Sequence, residues 1–111
     1  MPEYRLAIRV YIEDTDAGGI VYYVNYLKYF ERARTELIRS LGVDKTAVME
    51  DGSVFVVTSV AIDYHAPARL DDQLEAVAEV VNSGAATIEF RQSVVRSGIE
   101  LASGRVRVAL T

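Results

Sequence analysis

Cysteine is absent from the 111 residues, which removes disulfide stapling, a thiol nucleophile and thiolate metal sites together and fits a reducing compartment. Histidine occurs once, as His65, so any metal would have to be held by carboxylates alone, and no metal or redox cofactor is expected. The only prolines are Pro2 and Pro67, and no Pro/Gly/Ser linker, internal repeat or low-complexity tract divides the chain. No window approaches the ~18 apolar residues needed to cross a bilayer. The opening MPEYRLAIRVYIEDTD alternates charged and apolar residues where a signal peptide needs a continuous apolar stretch. Positive charge is in deficit, 12 Lys and Arg against 16 Asp and Glu. No sequence-wide field is therefore present to hold a polyphosphate backbone, and nucleic acid is not an expected partner. Together these features predict a soluble, cytoplasmic protein held together by packing.

Half of the residues are hydrophobic, enough for one domain over residues 1–111 that buries roughly 60 to 70% of its unfolded surface. Leu6, Ile8, Val10 and Ile12 alternate with more polar neighbours, which predicts a half-buried strand from Tyr4 to Glu13. Val24, Leu27, Phe30, Ala33, Leu37, Ile38 and Leu41 recur at three- and four-residue steps, the spacing of a long helix that Gly42 ends. Its wet face carries Lys28, Glu31, Arg32, Arg34, Glu36 and Arg39. After a loop at MEDGS, residues 49–53, strands are predicted from Val54 to Tyr64, Leu74 to Val81 and Thr87 to Val95. A final strand-like alternation, Leu101 to Val106 and Val108 to Leu110, follows the turn pair Ser97-Gly98. One long helix and an antiparallel meander must bury the helix against one sheet face, which makes an α+β domain.

The segment from Glu13 to Tyr23, EDTDAGGIVYY, is the least ordinary in the chain. It sets three carboxylates and two adjacent glycines between a strand and a helix. Glycines let a ligand approach the main chain closely, and the helix start presents unpaired N–H groups and a positive dipole end. A carboxylate beside such donors has the parts for thioester hydrolysis: it attacks the carbonyl or activates a water while the donors hold the oxyanion. On chemistry alone the alternative stays open that Asp14 and Asp16 satisfy backbone donors in a turn.

The run Val10 to Tyr22, VYIEDTDAGGIVY, with Asn25-Tyr26-Leu27 and Phe30 to Glu36, resembles the 4-hydroxybenzoyl-CoA thioesterase family, in particular its Tol-Pal-associated acyl-CoA thioesterase branch. A second block, Tyr64 to Leu74, YHAPARLDDQL, is similar to that branch's segment between its second and third strands. The resemblance implies the hotdog fold, a long helix packed against a five-stranded antiparallel sheet. It also implies a homodimer that associates into a homotetramer, an acyl-CoA substrate, and acyl carrier protein as another possible donor.

Matched residue by residue, the resemblance makes Asp16 the catalytic carboxylate, nucleophile or general base, and the Tyr23 N–H the group that polarises the thioester carbonyl. Around them Gly19, Val21, Tyr22, Asn25 and Tyr26 form the expected substrate-binding set, with Asn25 suited either to cap the helix or to orient the loop. Arg69 is set against CoA phosphates, which a guanidinium suits, or else in a pair with Asp71 or Asp72. The branch commonly has histidine where this chain has Tyr23, so no imidazole is expected there. Hydrolysis of an acyl-CoA is the leading expectation. A non-catalytic protein that binds acyl-CoA or acyl carrier protein is the alternative, and the acyl group is left open.

Overall fold

The computed structural model describes residues 2–42 and 52–111. Strand β1 (Glu3–Arg9) leads through a single 3₁₀ turn (Ile12–Asp14) and a tight loop into helix α1 (Asn25–Ser40). Strands β2 (Phe55–Tyr64), β3 (Gln73–Ser83), β4 (Thr87–Arg96) and β5 (Ile99–Leu110) follow. The five strands form one sheet in the order β1-β3-β4-β5-β2, with every neighbouring pair antiparallel. Helix α1 lies across β1, β3 and β4. The predicted loop at Met49–Ser53 falls largely outside the described residues.

The helix packs through Tyr26, Tyr29, Phe30, Ala33 and Leu37, all buried, against a sheet face that presents Leu74, Ala76, Ala78, Phe90 and Val94. Ala76 and Ala78 are fully covered; their short side chains let the helix sit close to β3. Burial of each larger apolar side chain stabilises the fold by about 1.5–3 kcal/mol. Gly42 ends the helix with φ 85 and an N–H bonded to Arg39 O at 3.0 Å, as its sequence position implies. Ser97 and Gly98, both at positive φ, make the two-residue turn that joins β4 to β5, Arg96 pairing with Ile99. That double positive φ is the hairpin turn whose twist matches the strands.

Two sequence expectations are corrected. The strand predicted through Glu13 stops at Arg9. Beyond it, the Asp14 carboxylate accepts the Tyr11 N–H at 2.8 Å, a local bond that competes with the ladder and closes a 3₁₀ turn. Val10 remains buried, but Ile12 is 75% exposed. The dry face of the helix is also rotated: Val24, Leu27 and Leu41 are exposed, while Tyr26 and Tyr29 point inward. Arg34, expected on the wet face, is half-buried and donates to Gln92 Oε1 at 2.9 Å. Gln92 is fully buried and its amide donates to Phe30 O at 2.9 Å. Burial lowers the Arg34 pKa from its ordinary value.

Candidate active site

The loop between β1 and α1 is organised around Asp14. Its carboxylate holds Tyr11 as described, and its carbonyl accepts both the Tyr22 N–H at 2.9 Å and Asn25 Nδ2 at 2.8 Å. One residue thus pins both ends of the loop. Asn25 orients the loop and does not cap the helix; the N-cap position is Val24, which makes no side-chain cap bond. Within the loop the Asp16 N–H donates to Ile20 O at 2.9 Å and the Gly19 N–H to Asp16 O at 3.0 Å. Gly19 sits at φ 77, where a side chain would be strained. The Asp16 carboxylate accepts the Gly18 N–H through Oδ1 at 2.8 Å. Its Oδ2 makes no hydrogen bond among the described residues, so Asp16 both shapes the turn and offers an exposed oxygen.

At the helix start the Tyr22 N–H is taken by Asp14, and the Tyr22 and Tyr23 carbonyls accept the Asn25 and Tyr26 N–H groups. The Tyr23 N–H donates to no atom among the described residues. It stands at the positive end of a 16-residue helix, where an anion or developing oxyanion is favoured. Tyr64, at the end of β2, donates its hydroxyl to Tyr23 O at 3.1 Å and meets the Tyr23 and Tyr26 rings edge-on at 6.0 and 5.3 Å. Burial, with Tyr23 and Tyr26 nearby, raises the Tyr64 pKa above its ordinary value.

A cleft of about 250 Å³ opens beside these groups, with Ile20, Val21, Tyr23 and Tyr26 on one side and residues 64–67 on the other. Two bonds hold its walls together: the Ala68 N–H donates to the Tyr26 hydroxyl at 3.1 Å, and the Val21 N–H to Ala68 O at 2.8 Å. The ring of His65 faces Ser103 Oγ at 2.9 Å. Of the residues singled out from the sequence, Val21, Tyr23 and Tyr26 line this cleft, and Asp16 and Gly19 occupy the adjoining turn. Tyr22 packs edge-on against Tyr23 at 5.1 Å, and Asn25 lies beneath the loop. Tyr64 lines the cleft as the packing or pocket-wall residue its sequence context implies, whereas His65 and Pro67, carried by the same second motif, are not expected at the site from sequence.

Arg69 pairs with Ile20 as an isolated antiparallel bridge, which lays the second motif along the first. Its main-chain N–H, not its guanidinium, reaches the Asp72 carboxylate, at 2.9 Å. The ion pair is made by Arg96, 2.6 Å from Asp72. Among the described residues the Arg69 guanidinium makes no ion pair. Burial works against the charged form of Asp72, but the Arg69 N–H and the Arg96 guanidinium outweigh it, so the Asp72 pKa lies below its ordinary value. A carboxylate depressed on folding stabilises the fold above its unfolded pKa and loses that contribution as pH falls through its folded pKa. Melting curves of wild type and Asp72→Asn are therefore expected to differ at pH 7 and to begin converging only as pH falls below about 4, the ordinary Asp pKa, toward the lower folded value. A gap unchanged down to pH 2.5 would assign the effect of the substitution to geometry, not charge.

A helix packed on a five-stranded antiparallel sheet, with a carboxylate loop leading into the helix start, is the hotdog architecture of a thioesterase. The chain belongs to the thioesterase superfamily, whose family model matches residues 18–103. It is 45% identical over 107 residues to the acyl-CoA thioesterase YbgC of Haemophilus influenzae, covering 96% of this chain and 79% of that protein. It is 43% identical over 94 residues to the acyl-CoA thioester hydrolase YbgC of Escherichia coli, covering 85% and 70%. Among solved structures, a probable thioesterase from Bartonella henselae superposes with TM-score 0.92 at 31% identity, over 98% of this chain and 91% of that one.

Proposed function

We propose that the protein hydrolyses an acyl-CoA thioester to the free acid and CoA, with Asp16 as nucleophile or general base and the Tyr23 N–H polarising the carbonyl. The observation that carries this reading is the pairing, in one loop pinned by Asp14, of an exposed carboxylate oxygen with an unoccupied main-chain donor at a helix start. As base, Asp16 takes a proton from water as the water oxygen attacks the carbonyl carbon; the C–S bond then breaks and the proton passes to the departing thiolate. As nucleophile, its oxygen attacks, expels the thiolate and leaves an anhydride that water cleaves. In either course the oxyanion forms beside the Tyr23 N–H, where a main-chain donor serves whatever the side chain. The acyl-CoA names of the YbgC relatives support the substrate class.

Val21, Tyr22 and Tyr26 fit the role of pocket walls, Gly19 that of close main-chain approach, and Asn25 that of holding the loop. The unpaired guanidinium of Arg69 suits a CoA phosphate. Strand β2 lies at a sheet edge and exposes Val56, Val57 and Val60, which favours a second copy there; a dimer and a dimer of dimers are the assemblies we infer. Thiol release from acetyl- through palmitoyl-CoA, with benzoyl- and 4-hydroxybenzoyl-CoA, tests the reaction. Turnover of at least one class is expected. Binding without thiol release from any of them would replace hydrolysis with a carrier or scaffold role.

A further inference from the structure

Among the described residues, one buried side-chain polar atom is left without a hydrogen-bond partner. It is the hydroxyl of Tyr29, a residue that is 1% exposed. A core position with only a packing role would be better served by phenylalanine, which has the same shape and no donor to strand. The charge that faces this hydroxyl belongs to Asp14. Burial first, then the nearby Asp14 carboxylate, raises the Tyr29 pKa above the ordinary phenol value; toward a carboxylate a phenol is the donor.

The sequence spacing explains why the two meet. Tyr29 follows Asn25 by four residues, so both side chains leave the same face of α1. Asn25 already holds the Asp14 carbonyl, and Tyr29 stands one helical turn further on, against the carboxylate of the same residue. The ring has little freedom to turn elsewhere, because Tyr26 packs edge-on to it at 6.1 Å. Asp14 in turn holds the Tyr11 N–H at one end of the loop and the Tyr22 N–H at the other. The loop between them carries Asp16 and ends one residue before the Tyr23 donor.

We propose that Tyr29 is a positioning residue for the active-site loop: its hydroxyl donates to the Asp14 carboxylate in the working enzyme and fixes the distance between Asp16 and the Tyr23 N–H. That bond links the core to the two groups that meet the thioester. This inference rests on the catalytic reading of Asp16 and Tyr23.

The test is Tyr29→Phe, measured beside Asp16→Asn on the same acyl-CoA. The expected result is a kcat lower by about tenfold, the worth of one hydrogen bond to a charged group, with KM within about twofold because no substrate contact is removed. The melting temperature is expected to fall, since a buried hydrogen bond to a carboxylate has gone. A role confined to packing predicts a melting temperature that holds or rises, with unchanged kcat. Amide exchange gives a second readout that needs no turnover: the Tyr11 and Tyr22 N–H groups should exchange on the order of tenfold faster, with the central-strand amide of Phe90 unchanged. If Asp16→Asn is inactive while Tyr29→Phe matches wild type in kcat and exchange, the positioning role falls and the catalytic reading stands. If Asp16→Asn retains full turnover, the catalytic reading falls, and exchange at Tyr11 and Tyr22 alone decides whether Tyr29 holds the loop.

Discussion

Asp16→Asn is expected to lower kcat by about 10²- to 10⁴-fold, the range lost when a positioned acid–base group is removed, with the fold intact. The substitution is informative because asparagine keeps a side-chain oxygen. That oxygen can still accept the Gly18 N–H now bound to Asp16 Oδ1 at 2.8 Å, so the turn keeps its shape while the negative charge is lost. A role confined to the turn, which the geometry also provides, predicts that Asn serves nearly as well as Asp. The two roles therefore separate in one measurement: thiol release per active site, with circular dichroism and melting temperature recorded on the same sample. Turnover within twofold of wild type would remove Asp16 from the chemistry and leave it a turn residue.

The second large effect concerns Gly104. It lies on β5 opposite Ile62 of β2, and a Cβ at this position would collide with the carbonyl oxygen of Ala61 and stand 3.0 Å from Ile62 Cα. Both obstacles are main chain, so no side-chain rotation relieves them. Gly104→Ala must push β2 off the sheet or distort β5, an overpacking that costs about 3 kcal/mol at the upper end of such effects. In a domain of this size that lowers the melting temperature by roughly 10–20 °C. Activity should fall as well, because β2 ends at Tyr64, whose hydroxyl braces Tyr23 O. A melting temperature within 2 °C of wild type would show that the strand accommodates a methyl group at this point.

The two sites differ in how far they could be foreseen. The Asp16 segment was legible because its chemistry is local: carboxylates, paired glycines and a helix start lie within a few residues, and the matching family motif names the same positions. The order of strands and helix was legible for a similar reason, since periods of two and of three to four residues are set by backbone geometry over short windows. Gly104 was not legible, because what a Cβ would meet there belongs to residues more than forty positions earlier in the chain. The same holds for His65 and Pro67. Their motif was recognised, but its seating against Tyr23 and Tyr26 follows from strand register and from the bonds of Ala68 to Val21 and Tyr26.

Where sequence reasoning failed, a local bond or a neighbouring surface overrode a pattern. The alternation through Ile12 describes a strand correctly until the Asp14 carboxylate, three residues beyond Tyr11, offers the main chain a closer acceptor. Phe30, Ala33 and Leu37 are buried as their period implies, but Val24, Leu27 and Leu41 satisfy the same period and are exposed, because hydrophobicity alone does not say where the stripe meets the sheet. By itself, then, the sequence determined the kinds of element, their order and the loop that carries the carboxylate, all consequences of interactions between residues close along the chain. Only the tertiary structure decided where the helix stripe meets the sheet, that Arg96 pairs with Asp72, that the Tyr29 hydroxyl is buried, and that the second motif walls the cleft. Those depend on which distant residues packing brings together, and one strand's pattern does not encode the surface it will meet.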